Sequence, residues 1–191
     1  FFRKNINESL ADVTNQFLNS NDPTKLVTAT SNSKKSYNAI VFEQEDTLNF
    51  LPKMDSEPEG YSYTDHIILN VSEEAKKRLP QADRIGNTYV ELLSSSVGNG
   101  SANFPQDEDG VIRRAPTAIY FDGADHVYPS LVMSAVIDIL GIKKDGGFDY
   151  DFEEKVLRLI DTTNTVVREI PIDEKGRMLV NYYGQFQTFY Y

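Results

Sequence analysis

The chain has 191 residues with 29 Asp or Glu and 19 Lys or Arg, so its formal net charge at pH 7 is −10. This acidic excess argues against a nucleic-acid partner, because phosphate backbones are bound largely through clustered Lys and Arg. The sequence has no cysteine, which excludes disulfides, zinc–thiolate sites and cysteine nucleophiles but does not fix the compartment. Its length and 40% hydrophobic positions favour one folding unit, residues 1–191.

The two ends of the sequence suggest a piece of a longer protein. The chain does not begin with Met, and its start, Phe1-Phe2-Arg3-Lys4, lacks the apolar run of a signal peptide. No stretch approaches the roughly 18 to 20 apolar residues that cross a bilayer. We therefore treat both ends as cuts.

The first half of the chain predicts a mixture of helices and strands. Apolar residues on one face predict a helix over 5–18. β-branched and apolar residues predict strands over 25–30 and 38–42, and an apolar run predicts a buried strand over 66–71. Between them, the polar and proline-rich stretch 43–65 is interpreted as a surface excursion.

Capping and turn residues organise the middle of the chain. Ser72 predicts the start of a helix that Pro80 interrupts, and a further helix is expected over 88–97. The dipeptide Asp122-Gly123 predicts a β-hairpin that joins strands over 111–121 and 125–128. A third helix is expected to start at Ser130 and to close at Gly141, and its almost wholly apolar sequence predicts a central, buried position.

The last third alternates short apolar runs with turns, which predicts an antiparallel meander. The expected strands cover 156–160, 166–172 and 178–183, with turns at 161–164 and 173–176. The fold class predicted is α/β, as a sandwich with a mixed sheet flanked by helices and a C-terminal antiparallel meander.

An Asp-rich turn followed by two arginines is the most distinctive motif. Asp107 and Asp109 invite a metal-site interpretation, but an EF-hand alignment puts prolines at its first and last ligand positions, so that loop is excluded. The favoured interpretation is a structural turn, in which the aspartates accept local backbone donors and Arg113 or Arg114 bridges back to a carboxylate. We predict no metal site.

Nothing in the sequence assembles a catalytic site. His66 and His126 each follow an aspartate, but neighbouring strand residues point to opposite faces, which favours structural roles for both histidines. The sequence has no nucleophile elbow, no phosphate-binding glycine loop and no HExxH pattern. No cofactor is implied.

The central stretch resembles the second type of CHASE domain, an extracellular sensory module associated with bacterial adenylate cyclases, histidine kinases and serine/threonine kinases. The resemblance covers about residues 98–189. It lies in a Gly-x-x-Asn element, an Asp-x-Asp-Gly-x-x-Arg-Arg-x-Pro signature, a Pro-Ser-Leu helix start and the closing meander. The corresponding residues are Gly100, Asn103, Asp107, Asp109, Gly110, Arg113, Arg114, Pro116, Pro129, Ser130, Leu131, Ile172, Asp173, Gly176 and Gly184.

One departure concerns the N-terminus. Members of the family usually begin with an extra strand–helix–strand segment that carries a Trp-Pro-x-Arg element, and this chain has no tryptophan. Relative to that pattern, the sequence resembles a domain truncated at its N-terminus.

The resemblance implies a non-catalytic input domain in the extracytoplasmic, periplasmic or extracellular, part of a cell-membrane receptor. A nucleotide cyclase is the favoured output, and a histidine or serine/threonine kinase is the alternative. A free-standing periplasmic solute-binding or adhesion protein, or a hydrolase that holds a metal on Asp107 and Asp109, remain open as different classes. The stimulus, a small molecule or a protein, is not identified by the sequence.

Three further expectations concern contacts with a ligand, with the membrane and with a second copy of the chain. Polar residues between apolar strands predict a ligand cleft at Asn103, Arg113, Arg114 and Ser130, where donors and a helix start meet an anion. The C-terminal aromatics are interpreted either as ordinary core or as a belt near the membrane, to which flanking segments would attach the domain. They also suggest a weak symmetric homodimer. The residues concerned are Phe186, Phe189, Tyr190 and Tyr191.

Overall fold

Four helices and thirteen short strands form the part of the chain that the computed structural model describes, residues 24–33, 36–43, 53–54, 67–86, 89–107 and 109–181. The helices are α1 (Thr24–Ser33), α2 (Glu73–Arg78), α3 (Val90–Ser95) and α4 (Leu131–Leu140). The strands are β1 (Tyr37–Ile40), β2 (Phe42–Glu43), β3 (Lys53–Met54), β4 (Gln81–Ala82), β5 (Arg84–Gly86), β6 (Gly98–Ser101), β7 (Arg114–Pro116), β8 (Ala118–Phe121), β9 (His126–Pro129), β10 (Phe148–Asp151), β11 (Val156–Ile160), β12 (Val166–Pro171) and β13 (Arg177–Leu179).

The strands pair in both senses. β1 and β6 are parallel, β4 pairs parallel with β8, and β8 pairs antiparallel with β9. β10, β11 and β12 form an antiparallel meander, and β13 crosses to pair antiparallel with β7. The predicted mixed α/β fold with a C-terminal antiparallel meander is confirmed.

The β8–β9 hairpin separates two hydrophobic clusters. Successive side chains of a strand point to opposite faces, so Ile119 and Phe121 join the cluster that contains Phe42 and Tyr128, whereas Ala118 joins the other. The second cluster is built from α2, α4 and the C-terminal meander around Leu157. The β8–β9 hairpin is therefore the central layer of the core, with one hydrophobic cluster on each of its faces.

Helix caps and turns lie close to their predicted positions. The Ser72 hydroxyl accepts the Ala75 N–H at 3.2 Å at the start of α2, and α4 ends at Gly141, whose φ is +63°. The hairpin at Asp122 is confirmed, but its turn is a 3₁₀ turn followed by Asp125 at φ +54°. The left-handed residue is thus Asp125, since an Asp side chain tolerates that conformation.

Residues 25–30, predicted as a strand, are part of α1, and that prediction is wrong. The helix packs against α3 and buries Thr30, while the Thr28 hydroxyl bonds back to the Thr24 carbonyl at 2.8 Å. The β-branched residues of this stretch favour a strand only weakly, and packing overrides that preference.

Two further predictions, the burial of α4 and the strand over 66–71, need correction. α4 is not wholly buried, because only one face packs on β1, β6 and β9, and Val132 and Ile139 are 52% and 75% exposed. Residues 67–71 bury Ile67, Ile68 and Val71 as predicted, yet they form only isolated bridges because Asn70 adopts φ +52°.

Some predicted features lie outside the described residues. They are the helix over 5–18, most of the excursion over 43–65, His66 and the aromatic residues after 181.

Candidate functional site: the Asp–Arg loop

The motif that joins β6 to β7 folds into a closed loop, here called the Asp–Arg loop (residues 103–107 and 109–116). Its neck is closed by a hydrogen bond from the Asp107 N–H to the Val111 carbonyl at 3.0 Å. The Gly110 N–H donates to the Asp107 carbonyl at 2.8 Å, and Gly110 has φ +79°, a conformation that favours glycine. The glycine of the signature is thus required by the backbone turn.

Both arginines of the motif pair with its aspartates, and Arg113 also lies 3.5 Å from Asp107 Oδ2. Arg113 binds Asp109 with both terminal nitrogens, at 2.8 and 2.7 Å, and Arg114 Nη1 lies 3.0 and 3.1 Å from the two carboxylate oxygens of Asp107. The hydrogen bonds from Arg113 and from the Val111 N–H lower the pKa of Asp109 to about 2. Both carboxylates therefore act as acceptors within the loop.

Asp173 ties this loop to the turn before β13. Its Oδ2 accepts from Arg177 Nε and Nη2 at 2.8 and 2.7 Å and lies 3.6 Å from Arg114 Nε. Its Oδ1 accepts the backbone N–H groups of Lys175 and Arg177, each at 2.9 Å. Burial raises the pKa of Asp173, but the hydrogen bonds from Arg177 and Lys175 outweigh it, and the pKa lies below its ordinary value.

Behind this pair of arginines lies a buried hydroxyl network. The fully buried Thr117 hydroxyl donates to the Gly176 carbonyl at 2.6 Å and lies 2.9 Å from the Tyr150 hydroxyl. Burial strongly raises the pKa of Tyr150, so its phenol stays protonated. Together with the β7–β13 ladder, which pairs Pro116 with Arg177, this network anchors the turn to the core.

Asn103 clamps a neighbouring strand. Its Oδ1 accepts the Phe42 N–H at 2.9 Å and its Nδ2 donates to the Phe42 carbonyl. The side-chain amide of Asn103 therefore bonds to both backbone groups of Phe42, as a neighbouring strand would. The Phe42 ring lies 4.9 Å from the Tyr128 ring.

Gly100 and Ser130 meet where β6 crosses the start of α4. A Cβ on Gly100 would lie 2.7 Å from the Leu131 Cα and the Ser130 carbonyl carbon, a contact that no side chain tolerates. Ser101 and Ser130 form a parallel bridge, and the Ser130 hydroxyl accepts the Met133 N–H at 3.3 Å as the cap of α4. Gly100 is thus a close-approach glycine.

The structure divides the four predicted ligand residues into two groups. Asn103 follows β6 and binds Phe42, and Ser130 forms a bridge to Ser101 of β6, whereas Arg113 and Arg114 lie in the ion-pair network of the Asp–Arg loop. Each has a contact within the fold, and their role in ligand binding stays a prediction. Sequence reasoning placed Asp173 only in a turn and did not pair it with Arg114, because residues 59 positions apart give no local signal.

The other candidate groups have these positions. His126 begins β9 half-buried, with its ring centroid 6.4 Å from that of Tyr128. Within the described ranges, no three His, Asp or Glu side chains are grouped to hold a metal ion. No helix in these ranges is long and apolar enough to cross a membrane.

The fold and the Asp–Arg loop together define the class of protein. It is a mixed α/β domain in which the motif residues contact one another across β7, β13 and the turns beside them. A family model described as the CHASE2 domain matches residues 7–191, and the chain belongs to that family. CHASE2 domains are extracellular sensory regions of membrane signalling receptors and are not catalytic. Comparisons with curated proteins and with solved structures gave no match.

Proposed function

We propose that this chain is the extracytoplasmic input domain of a bacterial transmembrane receptor whose output is a nucleotide cyclase. The observation that supports this proposal is the match to the family model over residues 7–191. A sensor histidine kinase or serine/threonine kinase is the alternative output within the same class of receptor. In either case the domain supplies the input and the chemistry belongs to the output domain.

The geometry supports an input role through β13. This strand is the last in the described part of the chain, and the Asp173 ion pairs and the β7 ladder fix its position. A stimulus changes an equilibrium only if it binds two conformations with different affinity. A ligand or partner that contacts the 173–177 turn would favour one position of β13 and so bias the segment that follows.

The full-length reading frame tests the receptor proposal. A membrane region and a nucleotide-cyclase domain after this chain support it, and a kinase domain supports the alternative output. A reading frame that ends near Tyr191 contradicts both. An export signal without a downstream membrane span identifies a solute-binding protein instead.

The metal-hydrolase rival has its own test. Asp107→Ala and Asp109→Ala are expected to change thermal stability without changing metal stoichiometry, because both carboxylates bind arginines. Loss of a bound metal together with a hydrolytic activity would favour the rival.

A further inference from the structure

A cleft of about 730 Å³ lies between the end of α2 and the turn that precedes β13. Lys77 and Arg78 line it from α2, Lys175 and Arg177 line it from the turn, and Pro105 of the Asp–Arg loop also contributes. Pockets that bind small molecules have volumes of roughly 300 to 1,000 Å³. The cleft therefore has room for a metabolite-sized molecule.

The lining of the cleft is cationic although the chain as a whole is strongly acidic. Four cationic side chains and two carboxylates, Asp83 and Asp122, are among the described lining residues, whereas the chain has a formal charge of −10. Glu74 and Asp173 pair with the two arginines, so the local attraction for an anion comes from the two lysine ammonium groups. The chemical class that the cleft selects is therefore an anion.

Contacts within the fold hold the two arginines of the cleft in place. Asp173 fixes Arg177, as described above, and leaves its side chain 15% exposed. Arg78 Nη2 lies 2.8 Å from Glu74, and its guanidinium carbon lies 4.9 Å from the centroid of the Phe152 ring. Groups fixed before binding lose less entropy when a ligand arrives.

The two lysines of the cleft differ from the two arginines because their charges are not paired with a carboxylate among the described residues. Lys77 and Lys175 are exposed, and neither has a carboxylate oxygen within 4.0 Å among the residues that the structure describes. A lysine ammonium without an ion-pair partner offers three donors to an anionic ligand. The lysines are therefore the groups that contact the anion directly, and the arginines are positive charges held in place beside them.

The floor of the cleft is apolar and joins its two sides. Leu79 and Ala82 are buried there. Leu79 Cδ2 lies so close to Gly176 that a Cβ on this glycine would be 2.6 Å away. The end of α2 and the 173–177 turn thus touch at the floor, and a ligand needs an apolar body as well as a charge to fill the space.

We propose that this cleft binds a small organic anion, a carboxylate or a phosphate ester, and that its occupancy positions the 173–177 turn and β13. The effect of occupancy on signalling rests on the proposed input function, whereas the binding of the anion does not. Lys77 and Lys175 bind the anionic group, and Leu79, Ala82 and Pro105 contact the hydrocarbon part.

Binding is tested on the purified 191-residue chain by calorimetry and thermal melting at fixed ionic strength, because salt screens such contacts. Citrate probes the carboxylate class and glycerol 3-phosphate the phosphate esters. Glycerol tests the contribution of the organic part without a charge, and inorganic phosphate tests the contribution of the charge without the organic part. We expect saturable binding of at least one organic anion and none of glycerol.

The decisive variant is the double substitution Lys77→Ala with Lys175→Ala, which leaves both arginine pairs intact. It should weaken binding roughly tenfold or more, because two charge-assisted contacts are lost. The control removes two lysines elsewhere, the exposed Lys25 and the half-buried Lys143, as Lys25→Ala with Lys143→Ala, and lowers the net charge equally. That control should leave the dissociation constant unchanged.

Three results would overturn the inference: no binding of either organic anion, equal weakening by both double variants, or inorganic phosphate binding as tightly as glycerol 3-phosphate. Failure of the input proposal looks different. In that case the anion binds the cleft, but the double variant leaves the output of the full-length receptor unchanged.

Discussion

At the scale of single residues, Asp173 and Asp109 make similar ion pairs in different surroundings. The Asp173 side chain is 16% exposed and accepts from two backbone N–H groups and from Arg177, whereas Asp109 is 54% exposed and accepts from one backbone N–H group and from Arg113. Hydrogen bonds and ion pairs of a largely covered carboxylate contribute more to stability than an exposed ion pair does. Asp173 is therefore expected to matter more for the fold.

We predict that Asp173→Ala lowers the free energy of unfolding by about 2 kcal/mol, since the Lys175 and Arg177 N–H groups lose their acceptor. Asp109→Ala should cost clearly less, because water replaces Asp109 at an exposed site. Urea denaturation of both variants measures the difference. An equal or larger loss for Asp109→Ala would show that the Asp–Arg loop, not the 173–177 turn, carries the stability.

The carboxylates also set the acid sensitivity. Folding lowers the pKa of Asp109 from 3.8 to about 2, and it lowers the pKa of Asp151, which accepts the Glu154 N–H, and that of Asp173. For a carboxyl whose folded pKa is lower, the stabilisation is complete above the unfolded pKa and is lost as pH falls through the folded pKa. We therefore predict a melting temperature that falls from about pH 5 towards pH 2.

Asp109→Asn should flatten part of this acid dependence, because the substituted residue no longer titrates. The control is Glu153→Gln, an exposed residue without an ion pair among the described residues. Differential scanning calorimetry across the pH series measures both. A wild-type domain that becomes more stable on acidification would contradict the assignment.

Gly100 gives a steric prediction. Gly100→Ala places a Cβ 2.7 Å from the backbone of α4, which cannot give way as a flexible side chain would, so we expect a loss of about 1 to 3 kcal/mol. Ala39, exposed and opposite Gly100 in the β1–β6 register, gives the control Ala39→Ser. Thermal melting that leaves Gly100→Ala as stable as this control would show that β6 and α4 are not in close contact.

At the scale of elements, α4 depends on its N-cap, the residue before its first turn. Ser130→Ala removes the hydroxyl that accepts the Met133 N–H, and loss of such a cap costs about 1 kcal/mol. The control Ser94→Ala removes an exposed hydroxyl that only bonds back to the Val90 carbonyl within α3. Chemical denaturation should separate the two variants, and equal stabilities would contradict a capping role for Ser130.

The elements also show what the sequence can predict. Ser72, Ser130, Gly141 and the Asp122 turn were located correctly, because caps and turns are set by local backbone chemistry. β6 was missed, since its sequence Gly-Asn-Gly-Ser has little strand preference and is a strand only because it is buried between β1 and α4. The assignment of α1 as a strand failed for the corresponding reason, packing against α3.

The candidate site divides in the same way. The Asp–Arg loop was identified from its residues and its turn, and both arginines bind its aspartates. The Asp173 contacts and the cationic cleft were not predicted, because they join segments far apart in sequence, such as Lys77 and Lys175. The pairing of β7 with β13 and the contact of Leu79 with Gly176 bring these segments together.

At the scale of the whole molecule, we propose weak self-association. Cyclase and histidine-kinase outputs work as dimers, and an isolated sensor lacks the effective concentration that a membrane supplies. We expect a symmetric homodimer through Phe186, Phe189, Tyr190 and Tyr191, with more than about 1,200 Å² buried in total. Cross-linking in the intact receptor checks this, and sensors far apart in every signalling state would contradict it.

The central claim, that this domain is the input of a receptor, is tested most directly by the output of the full-length protein. Asp173→Ala loosens the turn that holds β13, so it should shift the basal cyclase or kinase activity severalfold at equal expression. Glu153→Gln, which changes an exposed residue without an ion pair among the described residues, should not. Output that is identical in wild type, Asp173→Ala and Glu153→Gln would contradict the account.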